Sequence, residues 1–454
     1  MEIKSYIRDH ETRFLNELFS LIRIPSISSH ASRQPDIHRC AERWKQLLEE
    51  AGVDIAEILP TSGNPVVFAS KLIDPKLPTV MVYGHYDVMP AEPLDLWDTP
   101  PFEPEIRDGK IFARGADDDK GQSFMHAKAF EYLVRTNQLK CNVKFILEGE
   151  EEIGSPSLEE FCKNNLKKLK CDTILVSDTS MLSAHTPSIT TGLRGLAYWE
   201  IEVTAANRDL HSGIFGGAVA NPILELTKIL AQLKDKDGRI TIPHFYDDVA
   251  GVSKSERELI AQIPFDLEEY KSNLGIKQVF GEKGYSTIER TGIRPALDIC
   301  GIWGGYTGEG SKTVLPSKAY AKLSARLVPH QKYEKIARLV EKHILKIAPK
   351  YVDVKVTQLH GAESYVCPIE SEEYKAAENA YTKVFGVRPL PVRRGGSIGV
   401  VPVFEKILKV KPILMGFGLE SDAIHSPNEN FPLDLFEKGI ETIVEFYNQY
   451  SEKR

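Results

Sequence analysis

Three short apolar runs, each stopping at a polar residue, constrain this chain more than any other feature. They are PTVMVYGH (78–85), NVKFILEG (142–149) and DTILVSD (172–178). Each has the length and content of a buried strand. Between the first two, KGQSFMHAKAFEYLVRT (120–136) predicts a helix. Strand and helix in alternation favour an α/β layer with a mixed, mainly parallel sheet flanked by helices. Ligands of such sheets bind beyond the carboxyl ends of the strands. These runs stop at His85, at the glutamates of EGEEEIGS (148–155) and at Asp178, so one crevice is expected to collect them.

Near residue 193 the pattern changes. LAYWEIEVTA (196–205), KAYAKLSARLVP (318–329) and VDVKVTQLHG (352–361) alternate like half-buried strands, and NPILELTKILAQL (221–233) and YEKIARLVEKHILKIA (333–348) read as helices. This predicts a smaller α+β domain over 193–362. It would interrupt a catalytic domain made of 1–192 and 363–454, to which KPILMGFG (411–418) returns a buried strand. A chain of 454 residues exceeds what one core usually holds, which agrees with two domains.

The N-terminal stretch carries charges throughout, with Ile3, Ile7, Phe14, Leu18, Leu21 and Ile22 at helical spacing. It predicts an amphipathic helix rather than a signal peptide, and no apolar run is long enough for a membrane span. Six scattered cysteines without a CxxC suggest reduced thiols and a cytoplasmic protein. A net charge of -7 argues against nucleic acid as a partner.

Any metal must therefore be held by His, Asp and Glu. In GHYDV (84–88), His85 and Asp87 are two apart at a strand end, a spacing that lets Asp87 fix the imidazole tautomer. In RGADDDKG (114–121), one aspartate would suffice to cap the following helix. Three adjacent ones repel, and a divalent cation would relieve that. In EGEEEIGS, Glu151 and Glu152 follow the strand directly, so one can bind metal while the other moves protons. Asp178 and His425 lie after two further strand-like runs. Nitrogen and oxygen donors without sulfur suit a catalytic zinc or manganese pair. A magnesium-dependent phosphoryl transferase would fit the aspartates alone, but the chain has no GxxxxGK[ST] loop.

These pieces, with WDTPPFEPEIRDGKIFARGADDDKG (97–121), RDLHSGIFGGAVANP (208–222), GYTGEGSKTVLPSKA (305–319), ARLVPHQ (325–331), GGSIG (395–399) and GLESDAIHSPNE (418–429), span nearly the whole chain. The sequence resembles the co-catalytic two-zinc peptidases, a family of carnosine dipeptidases, bacterial dipeptidases, carboxypeptidase G and aminoacylases. RDLHSGIFGG and ARLVPHQ point to its carnosine dipeptidase branch. The resemblance implies two divalent ions per subunit, zinc first and manganese second, bridged by Asp118. His85 and Asp178 would complete one site, and Glu152 and His425 the other. It implies hydrolysis of dipeptides by a bridging hydroxide, with Glu151 as general base and Asp87 orienting His85. It further implies a homodimer in which His211 stabilises the oxyanion in trans, and a lid and dimerisation role for 193–362. Arg326, His360, Gly396 and Ser397 would bind the substrate. HGAES (360–364) departs from the HGGK pattern of carnosine dipeptidases, VVPVF follows GGSIG where relatives usually carry Pro after the Ile, and Arg394 stands where they often carry an acid, so the resemblance does not fix the substrate. An N-acyl amino acid deacylase on the same scaffold and a non-catalytic dimeric binding protein are the alternative readings.

Overall fold

The computed structural model describes residues 2–396 and 398–451 and divides into two compact units. The first takes in 2–191, 367–392 and 399–451. Its sheet runs in the order Ile55–Leu59, Val66–Lys71, Asn142–Glu148, Thr79–His85, Thr173–Val176, Pro412–Leu414 and Ser188–Leu193. The four strands from Asn142–Glu148 to Pro412–Leu414 are mutually parallel, and the strands outside them pair antiparallel. Val80, Met81, Val82 and Tyr83 are all buried, which is why the run reads as continuously apolar rather than alternating.

Helices cover both faces. Phe130, on the helix Lys120–Arg135, meets Phe145, and Phe404, on Val400–Leu408, meets Tyr83. Tyr83 is level with Ile146, one residue from Phe145, so the two rings point to opposite sides. The helix Lys120–Arg135 is buried from Lys120 through Leu133 because other helices pack over it, among them Ile3–Ile22 and Leu433–Ser451. Its first residue, Lys120, donates to the carbonyls of Leu21 (3.1 Å) and Ile24 (2.7 Å) at the end of Ile3–Ile22. That ammonium satisfies buried carbonyls and ties the helix start, directly after the aspartate run, to the end of Ile3–Ile22.

A small antiparallel sheet of Asn430–Pro432, Lys110–Phe112 and Glu105–Arg107 brings the segment after His425 beside the segment before the aspartates. Nothing in the apolar pattern announces it, since each strand has only three residues.

The second unit comprises Gly192–Val366 and Arg393–Ile398. Its antiparallel sheet runs Ala296–Gly304, Lys318–Leu327, Gly195–Thr204, Asp353–Ala362. Gly195–Thr204 alternates strictly, with Ala197, Trp199, Ile201 and Val203 buried against the helices Pro222–Ala231 and Tyr333–Ile347. Residues 365–366 and 395–396 join this unit through specific bonds. Tyr365–Val366 pairs with Leu193 and Gly192, and Arg194 donates to the carbonyls of Gly395 and Gly396 (both 3.2 Å).

Candidate metal centre

The centre lies in the first unit, beyond the carboxyl ends of its parallel strands. His85, fully buried, ends Thr79–His85. Its Nδ1 sits 3.0 Å from the backbone carbonyl of Asp87. A carbonyl only accepts, so Nδ1 carries a proton, and Nε2 faces Asp118 Oδ1 at 3.1 Å. Without a metal a second ring proton would satisfy this contact, since against the effect of burial the bonds to Asp118 and Asp87 hold His85 well above the ordinary histidine range; with that proton gone, Nε2 and the carboxylate oxygen can both ligate an ion.

The other oxygen of Asp118 does the same on its far side. Oδ2 lies 2.9 Å from His425 Nε2, which in turn is 3.1 Å from Glu152 Oε2. Two sets of donor atoms result, His85–Asp118–Asp178 and Asp118–Glu152–His425, each gathered within 4.8 Å. Asp118 belongs to both.

The electrostatics show the same deficit of positive charge. Burial, then the charge of Asp118, pushes the Asp178 carboxyl well above the ordinary range. Burial, with Asp118, Glu152 and Asp87 nearby, raises Glu151 to about 7 against the pull of His85. Hydrogen bonding to Asp118 and Glu152 raises His425 to about 10. Imidazole and carboxylate donors that lack a cation of their own fit a divalent ion, and no cysteine joins either set among the described residues.

The rest of the glutamate run has structural work. Glu148 accepts from Tyr83 Oη (2.7 Å) and Ser155 Oγ (2.9 Å). Glu150 accepts the backbone N–H groups of Asn64 (2.9 Å) and Ser157 (3.2 Å). Asp87 does more than the sequence suggested. Its carboxylate lies 3.4 Å from His85 Nδ1, while its two oxygens accept the backbone N–H groups of Glu151 (3.2 Å) and Glu152 (3.1 Å). It therefore sets the 3-10 turn Glu151–Ile153 as well as facing the imidazole.

Sequence reasoning passed over Glu429, four residues after His425. Its buried carboxylate accepts from Arg114 Nη1 (2.6 Å) and from the backbone N–H groups of Gly115, Asp117 and Asp118. The signal was present in SPNE but carried no periodicity. The loop also holds three non-glycine residues at positive φ: Ala423 (55°), His425 (61°) and Asn428 (61°). Such strain collects at functional loops.

The remaining expected residues belong to the second unit. His211 is exposed at the end of Leu210–His211, and its Nδ1 accepts from Gly213 N (3.0 Å), which leaves Nε2–H as a donor. Arg326 is partly buried on Lys318–Leu327. His360 is exposed and stacks on Tyr198 at 5.0 Å. Gly396 is exposed. Ser397 lies outside the described residues.

Parallel strands that end at His85 and lead to Asp178, with loops that bring Asp118, Glu152 and His425 to them, make a candidate two-ion centre of the kind metal-dependent hydrolases use. The chain belongs to peptidase family M20/M25/M40, which matches residues 81–449, and it is a metallopeptidase of that family. It is 31% identical to a Cys-Gly metallodipeptidase of Schizosaccharomyces pombe, over 96% of this chain and 95% of that protein. It is 34% identical to a Beta-Ala-His dipeptidase of Rattus norvegicus, over 87% of this chain and 81% of that one. The structure of an M20 family metallo-carboxypeptidase from Sulfolobus solfataricus superposes with a TM-score of 0.86 at 34% identity, covering 97% of this chain and 99% of that one. Among the described residues no helix is long and apolar enough to cross a membrane.

Proposed function

We propose that this protein hydrolyses the peptide bond of dipeptides at a pair of divalent ions held by His85, Asp118, Asp178, Glu152 and His425. One observation carries the reading: the two oxygens of Asp118 face two different imidazoles, at 3.1 and 2.9 Å. One carboxylate is thereby shared between two donor sets. Bound there, zinc or manganese would polarise the scissile carbonyl and bring the pKa of water near neutrality.

The chain's own residues do the rest. Asp87 holds the turn that presents Glu151 and Glu152. Glu152 faces His425, which leaves its neighbour Glu151 to take a proton from water and return it to the leaving amine. A base raised towards 7 by burial is suited to both transfers near neutral pH. His211 of a second copy, with Nε2–H available, donates to the oxyanion. Arg326, with His360, Gly396 and Ser397, holds the substrate carboxylate. A planar guanidinium fork fits such a group. The dipeptidase names of the relatives support a dipeptide as substrate.

The test is amino-acid release from dipeptides, tripeptides and N-acetyl amino acids with zinc or manganese added, beside Glu151→Gln. Dipeptide cleavage that the variant lacks is the expected result. Release from N-acetyl amino acids alone would replace the dipeptidase with a deacylase. Two bound ions without turnover of any substrate would favour a binding protein. Light scattering at micromolar concentration checks the dimer, and a monomer would remove His211 from the mechanism.

A further inference from the structure

We infer that Glu429 is a positioning residue that ties the Asp118 loop to the His425 loop and so sets the affinity of both metal sites together. This rests on the ion pair proposed above, and it assigns a role that neither the motif nor the ligand set contains.

The geometry builds from the chain outward. Asn430 pairs with Phe112 in the small antiparallel sheet, and Ala113 N donates to the carbonyl of Glu429 (3.0 Å). The two loops are thus zipped at one end. Beyond that point the chain 114–118 leaves the sheet, and its backbone donors need partners. The Glu429 side chain supplies them. Oε1 accepts Gly115 N (3.0 Å), Asp117 N (3.1 Å) and Asp118 N (3.1 Å), and Oε2 accepts Arg114 Nη1 (2.6 Å). Charge-assisted bonds of this kind are about twice as strong as neutral ones. Three donors converging on one oxygen fix the position of the Asp118 backbone, and the Asp118 carboxylate must meet two imidazoles at once. A shift of this loop relative to His425 would misplace the one ligand that both ions share.

Glu429→Gln keeps the size but brings an NH2 group and removes the charge. Whichever way the amide turns, fewer of the four donors are satisfied. Outer partners of metal ligands typically change affinity by about 10- to 100-fold. We expect that loss for both ions in parallel, read by competition with a chromophoric chelator and by metal content, with no peptide in the assay. Glu131→Gln removes another buried acid, one that bonds Arg13 and Lys128 and touches no ligand loop. It is expected to weaken folding and leave metal affinity unchanged.

A folded Glu429→Gln with affinities within twofold of the parent would overturn the proposal, as would loss of one ion alone. If Glu429→Gln does not fold, Glu429→Asp keeps the charge but shortens the reach, and the same loss of both ions is expected. If neither folds, Glu429 is a fold residue and the proposal fails. A parent protein that binds no divalent ion would overturn the dipeptidase reading and this inference with it. An indifferent Glu429→Gln in a metal-binding parent overturns the inference alone.

Discussion

The first unit buries acids at two places along the helix Lys120–Arg135, and the two behave in opposite ways. In the second half of that helix, Glu131, 1% exposed, accepts from Arg13 Nη2 (2.5 Å), Lys128 Nζ (2.7 Å) and Tyr6 Oη (3.1 Å), and pairs with Arg135 Nε (2.9 Å). Burial alone would raise this carboxyl, but the bonds from Arg13 and Lys128 outweigh it and hold it at about 2. At the start of the helix, burial raises Asp119 to about 7, and Glu151 and Asp178 are raised as well. A buried acid that has its own cations is finished as structure. A buried cluster short of cations is built to receive them.

The sharpest way to break that contrast is Asp118→Asn. It removes the charge that both donor sets share, so both ions should be lost and turnover should fall by about ten-thousand-fold or more. Metal content by mass spectrometry, measured beside kcat, checks this. Retention of one tightly held ion would show that the two sites are independent. Glu151→Gln comes next. It should keep both ions and lower kcat by roughly 100- to 10,000-fold, the usual range for a general acid–base group. A parallel fall in metal content would make Glu151 a ligand rather than the proton carrier.

The sequence revealed one side of this contrast and hid the other. The candidate metal centre was legible because several of its residues follow apolar runs whose length and content mark them as strands, and strand ends in a parallel sheet converge. His85, Glu151, Glu152 and Asp178 could be placed together for that reason. Glu131 and Arg13 are 118 residues apart and lie in helices where charges look like ordinary solvated positions, so nothing local marks the pair as buried. The same reason hid Glu429. Its partners are backbone N–H groups, which have no sequence signature. The two jobs of Asp87 were half visible: the spacing to His85 could be read, but its bonds to Glu151 and Glu152 cross 64 and 65 residues.

Glu131→Gln tests the finished side of the comparison. Removing one partner leaves Lys128, itself 1% exposed, without a full counter-charge. Breaking a buried pair in this way costs about 3 kcal/mol. Chemical denaturation of the metal-loaded protein should show that loss, while metal content and kcat stay at the parent's values. A fall in metal affinity would mean that the helix transmits strain to the aspartate loop, and the two acid clusters would no longer be separable.

The smallest effect expected is the most discriminating, because the raised acids of the metal cluster should respond to pH with the opposite sign to Glu131, Asp118 excepted, which burial would raise but His425 and His85 hold low. In chelator-treated protein, Glu151 and Asp119 titrate at about 7 when folded and in the ordinary carboxylate range when unfolded. The folded state then binds more protons between about pH 4 and 7, so stability rises as pH falls through that window. His425, raised to about 10, acts in the same direction above the ordinary histidine value. Glu131 works the other way. Its folded value of about 2 lies below its unfolded one, so its contribution is present above about pH 4.5 and is lost as pH falls towards 2. The metal-free protein should therefore gain on the order of 2 kcal/mol from pH 7 to pH 5 and lose stability below pH 4. With ions loaded the first trend should reverse, since protons then compete with metal for the same imidazoles and carboxylates. Calorimetry across pH 4 to 8, chelated against loaded, reads both limbs. A metal-free protein that loses stability from pH 7 to 5 would mean its acids already have their cations, and the distinction between the two clusters would collapse.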